Sequence, residues 1–178
     1  MLRGVNLGPH NRIKMDALRD LCSAIDLQDA QTYVQSGNIV FRTKERNLGA
    51  LAKKIQAAIE KKFGFRIEVI LRTTPEMRKV VARNPFAAVR DIEPSKLLID
   101  FLASEPGPEA RKSMLAIKPD PETLHIEGRE LYIYFPDGAG RSKLSWPRLE
   151  KILKTPSTAR NWNSVTKLLA MAEEMEAL

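Results

Sequence analysis

The stretch TYVQSGNIVF, residues 32–41, decides the fold class of this 178-residue chain. Two short runs rich in β-branched and aromatic residues, 31–35 and 38–42, lie on either side of Ser36-Gly37. A tight turn containing glycine between two such runs is the usual sign of a β-hairpin. The stretch therefore predicts an antiparallel hairpin with Ser36-Gly37 as its two-residue turn.

Helical periodicity on both sides of the hairpin indicates what covers it. Apolar residues recur every three to four positions before and after the hairpin, which is typical of amphipathic helices. The predicted elements of this half are a short strand at 1–3, helices from Met15 to Ile25 and from Asn47 to Gly64, a strand at 66–72 and a helix opening at Thr74-Pro75.

The second half of the chain repeats this order of elements. Its predicted elements are a strand at 96–102, a helix from near Pro108, two strands around Gly128-Arg129, a helix at 145–153 and a last helix at 162–176. Both halves begin β-α-β-β-α, so we predict an α+β fold of two related, ferredoxin-like subdomains with antiparallel or mixed sheets backed by helices. The predicted boundaries are 1–84 for the first subdomain, 85–95 for a proline-containing connection and 96–178 for the second.

Composition excludes several classes of protein. Hydrophobic residues make up 43% and charged residues 29%, as in globular proteins that fold in water. No apolar run approaches the roughly 18 residues of a membrane helix, so we expect a cytoplasmic protein with no membrane partner. The single cysteine, Cys22, lies on an apolar helix face, which predicts a buried and unreactive thiol. No Cys/His spacing suggests a metal site.

The net charge of +7 is unevenly spread along the sequence. Residues 1–90 hold 17 Lys and Arg against 8 Asp and Glu, whereas residues 91–178 hold 12 against 14. A basic surface of this kind attracts polyanions, including nucleic acids. An ordinary solvated surface has the same composition, so both interpretations stay open.

A polar segment, LRGVNLGPHNRIKM at 2–15, precedes the first predicted helix. Arg3, Asn6 and Asn11 are its candidate ligand-binding residues, because loops that enter helices often bind anions. The glycine spacing matches neither the phosphate-binding loop nor the dinucleotide fingerprint. The alternative is a loop whose asparagines bond their own backbone.

Three further segments carry the remaining candidates. The hairpin tip contributes Ser36 and Asn38, the segment GAGRSKLSW at 138–146 contributes Lys143, and TARNWN at 158–163 contributes Arg160 and Asn161. Arginine and lysine bind phosphate or carboxylate groups, and amides add directional hydrogen bonds. Turn closure, helix capping and bonding of Arg160 to protein carbonyls are the structural alternatives.

These motifs, in their order, resemble the bacterial family known as domain of unknown function 1697. Its members carry segments similar to LRGINVGG, TYxQSGNVVF and TxRNWNTV. Nine residues match those segments: Arg3, Gly4, Asn6, Asn11, Ser36, Gly37, Asn38, Arg160 and Asn161. The resemblance implies an α+β fold of two related subdomains and brings no established activity, cofactor or catalytic residue. Family members usually have several residues before the LRG segment and a glycine pair where this chain has Gly8-Pro9, which predicts a short first strand and a stiffer loop.

Three functions stay open at this stage. The first is binding of a small anionic or phosphorylated ligand at a polar site between the subdomains. The second is nucleic-acid binding through the basic first half, and the third is a structural or protein-interaction role. The sequence leaves open whether the protein is an enzyme, which cofactor it would use and what its oligomeric state is.

Overall fold

The structure, a computed structural model, describes residues 1–177, which form six α-helices and six strands. The α-helices are α1 (Met15–Ala24), α2 (Leu48–Phe63), α3 (Thr74–Ala82), α4 (Pro108–Leu115), α5 (Trp146–Leu153) and α6 (Trp162–Glu176). The strands are β1 (Gln28–Tyr33), β2 (Asn38–Arg42), β3 (Leu97–Leu102), β4 (Thr123–Glu127), β5 (Glu130–Tyr134) and β6 (Ser157–Asn161). They form two antiparallel sheets, which confirms the α+β class.

The chain divides into two units. Unit 1 comprises Met1–Thr74 and the chain from Lys167 on, and unit 2 comprises Pro75–Thr166. This division differs from the predicted boundaries. The stretch expected as a connection, 85–95, lies inside unit 2 together with α3. Its Phe86 packs against Tyr134 of β5 with ring centroids 6.0 Å apart, and the Tyr132 hydroxyl of β5 donates to Val80 O of α3 at 2.9 Å.

Unit 1 is built around the β1–β2 hairpin and the helices α1 and α2. Its buried core takes residues from the first segment, from both helices and from the 66–72 segment. The buried side chains of this core are Leu2, Val5, Ile13, Leu18, Leu21, Cys22, Leu27, Leu51, Ile55, Ile59, Ile67 and Val69. The guanidinium of Arg42 donates to Met175 O and so ties the end of α6 to β2.

The turn of the hairpin is longer than the sequence predicted. Tyr33 pairs with Asn38, so the loop covers four residues, 34–37, and the prediction of a two-residue turn is wrong. The Asn38 amide closes the loop by donating to Tyr33 O at 3.3 Å and Ser36 Oγ at 2.9 Å. Val34 and Gly37 take the left-handed conformation, with φ of 49° and 74°.

The strand predicted at 66–72 is reduced to a single bridge. Val69 pairs with Leu2 alone, although Arg3 N also donates to Glu68 O at 3.0 Å and Ile70 N to Met1 O at 2.9 Å. The first segment ends its pairing at Gly4, whose φ of 66° turns the chain away. The 66–72 segment therefore pairs through its backbone with residues 1–3 of the first segment.

Unit 2 contains a four-stranded sheet with the order β4-β5-β3-β6. Its elements follow one another as β-α-β-β-α-β, which is the order of the split β-α-β unit. One buried cluster joins the sheet to α4 and α5 and contains Leu102, Met114, Ile126, Leu131, Ile133, Phe135, Leu149 and Leu153.

Strand β6 was not predicted as a strand. Its sequence, STARN, has no alternation of apolar residues and contains asparagine, which is rare in strands. It pairs with β3 along its whole length, from Ser157 opposite Leu102 to Asn161 opposite Leu98. The first four residues of the TARNWN motif therefore belong to an edge strand, and its last two begin α6.

Candidate functional site

The N-terminal polar loop is organised by Asn6. This residue has a φ of 56°, a conformation that asparagine tolerates better than most residues. Its side-chain amide donates to Ile13 O at 3.0 Å and to Gln35 O at 2.8 Å, and its Oδ1 accepts from Ile13 N at 2.9 Å. Asn6 therefore closes the loop on itself and fastens it to the hairpin tip.

Arg3 and Asn11 lie where this loop lines a cavity. Asn11 also has a positive φ, 51°, and its side chain is 3.4 Å from Gly4 O. The cavity has a volume of about 630 Å³, and its lining comprises Arg3, Gly4, Asn11, Lys53, Gln56, Ala57, Glu60, Arg66, Ile67 and Glu68. All of these residues belong to unit 1, and a cavity of this size suits a small organic ligand.

Helix α2 supplies one wall of the cavity. Its lining residues Lys53, Gln56, Ala57 and Glu60 are spaced by three or four positions and so lie on one stripe of the helix. The helix is fixed at both ends as predicted, because Asn47 Oδ1 accepts from Ala50 N at 3.0 Å and Gly64 adopts a φ of 81°. This stripe is largely polar, whereas the stripe of Leu51, Ile55 and Ile59 is apolar and buried.

Positive charge exceeds negative charge in the lining. The lining contains three cationic side chains and two carboxylates, so its net charge is +1. The cations are Arg3, Lys53 and Arg66, and the carboxylates are Glu60 and Glu68. Arg66 Nε is 2.6 Å from Glu60 Oε1, and the Gln56 amide donates to Glu68 Oε2 at 3.2 Å. The lining of the cavity thus includes the Arg66–Glu60 ion pair, the side chains of Arg3 and Lys53, and a carboxylate held by an amide.

Ser36 and Asn38 serve the hairpin rather than the cavity lining. Asn38 is fully buried and its amide bonds to Ser36, so both residues contribute to turn closure. Neither residue lines the cavity, and Asn6 does not line it either.

The three predicted residues of the second half lie in unit 2. Lys143 is exposed between a short 3₁₀ turn, Ala139–Arg141, and α5. Asn161 Oδ1 accepts from Ser164 N at 2.9 Å and so caps the first turn of α6. Ser145 caps α5, since its side chain accepts from Arg148 N.

Arg160 is buried within unit 2. Only 8% of the residue is exposed, and its Nη1 donates to Thr158 Oγ1 at 2.8 Å and Ala159 O at 2.7 Å. Burial lowers the pKa of Arg160 to about 10, although the nearby carboxylate of Asp100 acts in the opposite direction. The bond to Ala159 O agrees with the structural alternative in which Arg160 bonds to protein carbonyls.

The structure therefore brings Arg3 and Asn11 together with residues that the sequence analysis had not selected. The additional ones are Lys53, Gln56, Glu60, Arg66 and Glu68. A polar stripe on α2, opposite its apolar stripe, was visible in the sequence. It could not be distinguished there from an ordinary solvated helix face, because only the fold shows what lies against it.

Potential metal ligands, the single cysteine and the apolar length of the helices are the other features within residues 1–177 that bear on function. No group of three or more His, Cys, Asp and Glu residues in this part of the chain is placed to hold a metal ion. Cys22 is fully buried, as predicted, and burial raises the pKa of its thiol to about 11. None of the described helices is long and apolar enough to cross a membrane.

Comparison with known proteins identifies the family of this chain and a solved structure with a similar fold. A family model described as "Protein of unknown function (DUF1697)" matches residues 1–132, and the chain belongs to that family. The fold is also similar to that of the conserved bacterial protein SP0830 from Streptococcus pneumoniae, with a TM-score of 0.69 and 20% sequence identity. That similarity covers 97% of this chain and 96% of the other. No curated protein matches the sequence.

Proposed function

We propose that the protein binds a small anionic or phosphorylated ligand in the cavity between the N-terminal loop, α2 and the 66–68 segment. One observation carries the proposal: Arg3 and Asn11 of the polar loop share a cavity of about 630 Å³ with Lys53 and Arg66. Arginine, lysine and amide donors are the groups that bind phosphate and carboxylate oxygens.

The rigidity of the loop supports this proposal. Asn6 makes three hydrogen bonds that fix the chain between Gly4 and Ile13. A loop that is ordered before the ligand arrives loses less conformational entropy on binding. Asn6 thereby acts on the ligand through the positions of Arg3 and Asn11.

Lys53 offers the cleanest test, because α2 also carries a matched control. Lys53 and Lys61 are both exposed lysines of the same helix, and only Lys53 lines the cavity. Lys53→Gln and Lys61→Gln therefore remove the same charge, one inside the proposed site and one outside it.

Thermal unfolding is measured for both variants with inorganic phosphate and glucose 6-phosphate, at low and moderate salt. A ligand at 100 times its Kd adds about 2.7 kcal/mol, which is a shift of roughly 5–10 °C for a chain of this size. We expect a shift in the wild type and in Lys61→Gln that is much reduced in Lys53→Gln. Equal shifts in both variants, or no shift with either anion, would overturn the proposal.

The same screen separates the alternative function. Short single-stranded RNA is included at both salt concentrations, because binding to phosphate backbones weakens steeply as salt rises. Stabilisation by RNA alone, lost at moderate salt, would favour nucleic-acid binding over a small-ligand site.

A further inference from the structure

We infer that the ligand carries an amino group as well as its phosphate, so that the cavity is selective for small aminated phosphomonoesters. The inference rests on the proposed function and adds the class of ligand. It comes from the two carboxylates of the lining, Glu60 and Glu68, which a site for a simple anion would not need.

The two carboxylates have different partners. Glu60 is 2.6 Å from the guanidinium of Arg66, so these two charges compensate each other at one end of the stripe. Glu68 instead accepts a hydrogen bond from the neutral amide of Gln56, at 3.2 Å. An amide orients a carboxylate without neutralising it, so Glu68 keeps a negative charge in the lining.

The order of residues on α2 separates the charges in space. Lys53 lies one helical turn before Gln56, which amounts to a rise of about 4.5 Å along the axis. Lys53 and the Glu68 carboxylate that Gln56 orients line the same cavity. A single small molecule in this cavity can therefore place a phosphate beside Lys53 and an ammonium beside Glu68.

The overall charge of the cavity agrees with such a ligand. The lining carries a net charge of +1, from three cations and two carboxylates. A phosphomonoester that bears two negative charges and an ammonium that bears one positive charge give a molecule of net charge −1. A dianionic phosphomonoester without the amine would leave the ligand and the lining together with a net charge of −1, whereas the aminated ligand brings that sum to zero.

Two sugar phosphates that differ only at carbon 2, where one carries an amino group and the other a hydroxyl, test the inference. Isothermal titration calorimetry measures the Kd values of glucosamine 6-phosphate and glucose 6-phosphate for the wild-type protein. We expect glucosamine 6-phosphate to bind about tenfold or more tightly, the gain of one charge-assisted hydrogen bond. Glu68→Gln should reduce this ratio to about one, because it removes the carboxylate that the ammonium group would meet.

The control variant is Asp20→Asn, which removes an exposed carboxylate of unit 1 outside the cavity lining. It should keep the tenfold preference. Equal affinity of the wild type for both sugar phosphates would overturn the inference and leave the proposed function standing. Absence of binding for both would overturn the proposed function itself.

Discussion

A Cβ atom added at Gly37 would lie 2.6 Å from Val5 Cγ2 and 2.7 Å from Leu2 Cβ. Gly37 also has a φ of 74°, which favours glycine over residues that carry a side chain. Both constraints come from the core of unit 1, because Leu2 and Val5 are 1% and 2% exposed. The glycine of the hairpin motif is thus required by packing as well as by turn geometry.

Gly37→Ala should lower the free energy of unfolding by about 2–4 kcal/mol, the sum of a left-handed alanine and an overpacked contact. Gly64→Ala is the control, since Gly64 has a similar φ of 81° but nothing within 4 Å of an added Cβ. It should cost about 1 kcal/mol. Urea unfolding of both variants measures the difference, and equal losses would show that the contacts with Leu2 and Val5 are relieved by a small shift.

Cys22 should make stability depend on pH in the alkaline range. Burial raises the pKa of its thiol from 9.0 to about 11. The unfolded chain therefore releases this proton first, so the contribution of the thiol is fully present below pH 9 and is lost between pH 9 and 11. At full effect this loss is roughly 2–3 kcal/mol.

The measurement is urea unfolding at pH 8 and pH 10.5, under reducing conditions, for the wild type and Cys22→Ala. The substitution removes the titrating thiol and leaves every other group in place. The wild type should lose more stability than Cys22→Ala over this interval. Parallel losses in the two proteins would mean that the thiol ionises in the folded state as readily as in the unfolded one.

At the scale of elements, the side chain of Asn6 helps to hold the loop between Leu2 and Ile13 through three hydrogen bonds. Asn6→Ala removes three hydrogen bonds and places alanine in a left-handed conformation, so it should cost about 2–4 kcal/mol of stability. Asn163→Ala, at an exposed position in α6, should change stability by less than about 0.5 kcal/mol. Thermal unfolding checks both values, and an Asn6→Ala protein as stable as the wild type would show that the loop is held by other contacts.

The elements that could be predicted from the sequence are those that a local pattern specifies. The ends of α2 follow from the N-cap Asn47 and from Gly64, whose conformation ends the helix. Strand β6 could not be predicted, because its pairing with β3 overrides a sequence of low β-propensity. The single bridge of the 66–72 segment could not be predicted either. It depends on where the partner segment turns away, at Gly4, and Gly4 is far from residues 66–72 in sequence.

The candidate site was predictable only in part, for the same reason. Arg3 and Asn11 stand out because their loop is rich in polar residues that a core does not use. Lys53, Gln56 and Glu68 do not stand out, since the face of α2 and the 66–68 segment line a cavity only when the loop lies against them. The bonds of Asn6, Asn38 and Asn161 show that a polar motif mixes ligand candidates with residues that shape the backbone.

At the scale of the whole molecule, the two structural units share the positive charge more evenly than the two halves of the sequence do. Unit 1 holds 14 Lys and Arg against 10 Asp and Glu, and unit 2 holds 15 against 12. The glutamates of α6 join unit 1, while the basic residues of α3 and of the 83–90 segment join unit 2. The net charges of the two units, +4 and +3, are therefore nearly equal.

This even division of charge argues against strong nucleic-acid binding, because such binding needs several cations on one surface to displace counterions from the phosphate backbone. Fluorescence anisotropy with a labelled 20-nucleotide poly(U) strand, at 50–200 mM KCl, measures the effect. We expect a Kd weaker than about 100 µM at 150 mM KCl, at the weak limit of non-specific binding. A Kd of a few micromolar at that salt, with a log–log salt slope steeper than about −5, would mean that the cations of the folded protein do cluster. In that case the lysines of α2 would be the first to replace, since Lys53, Lys54, Lys61 and Lys62 share one helix with the cavity.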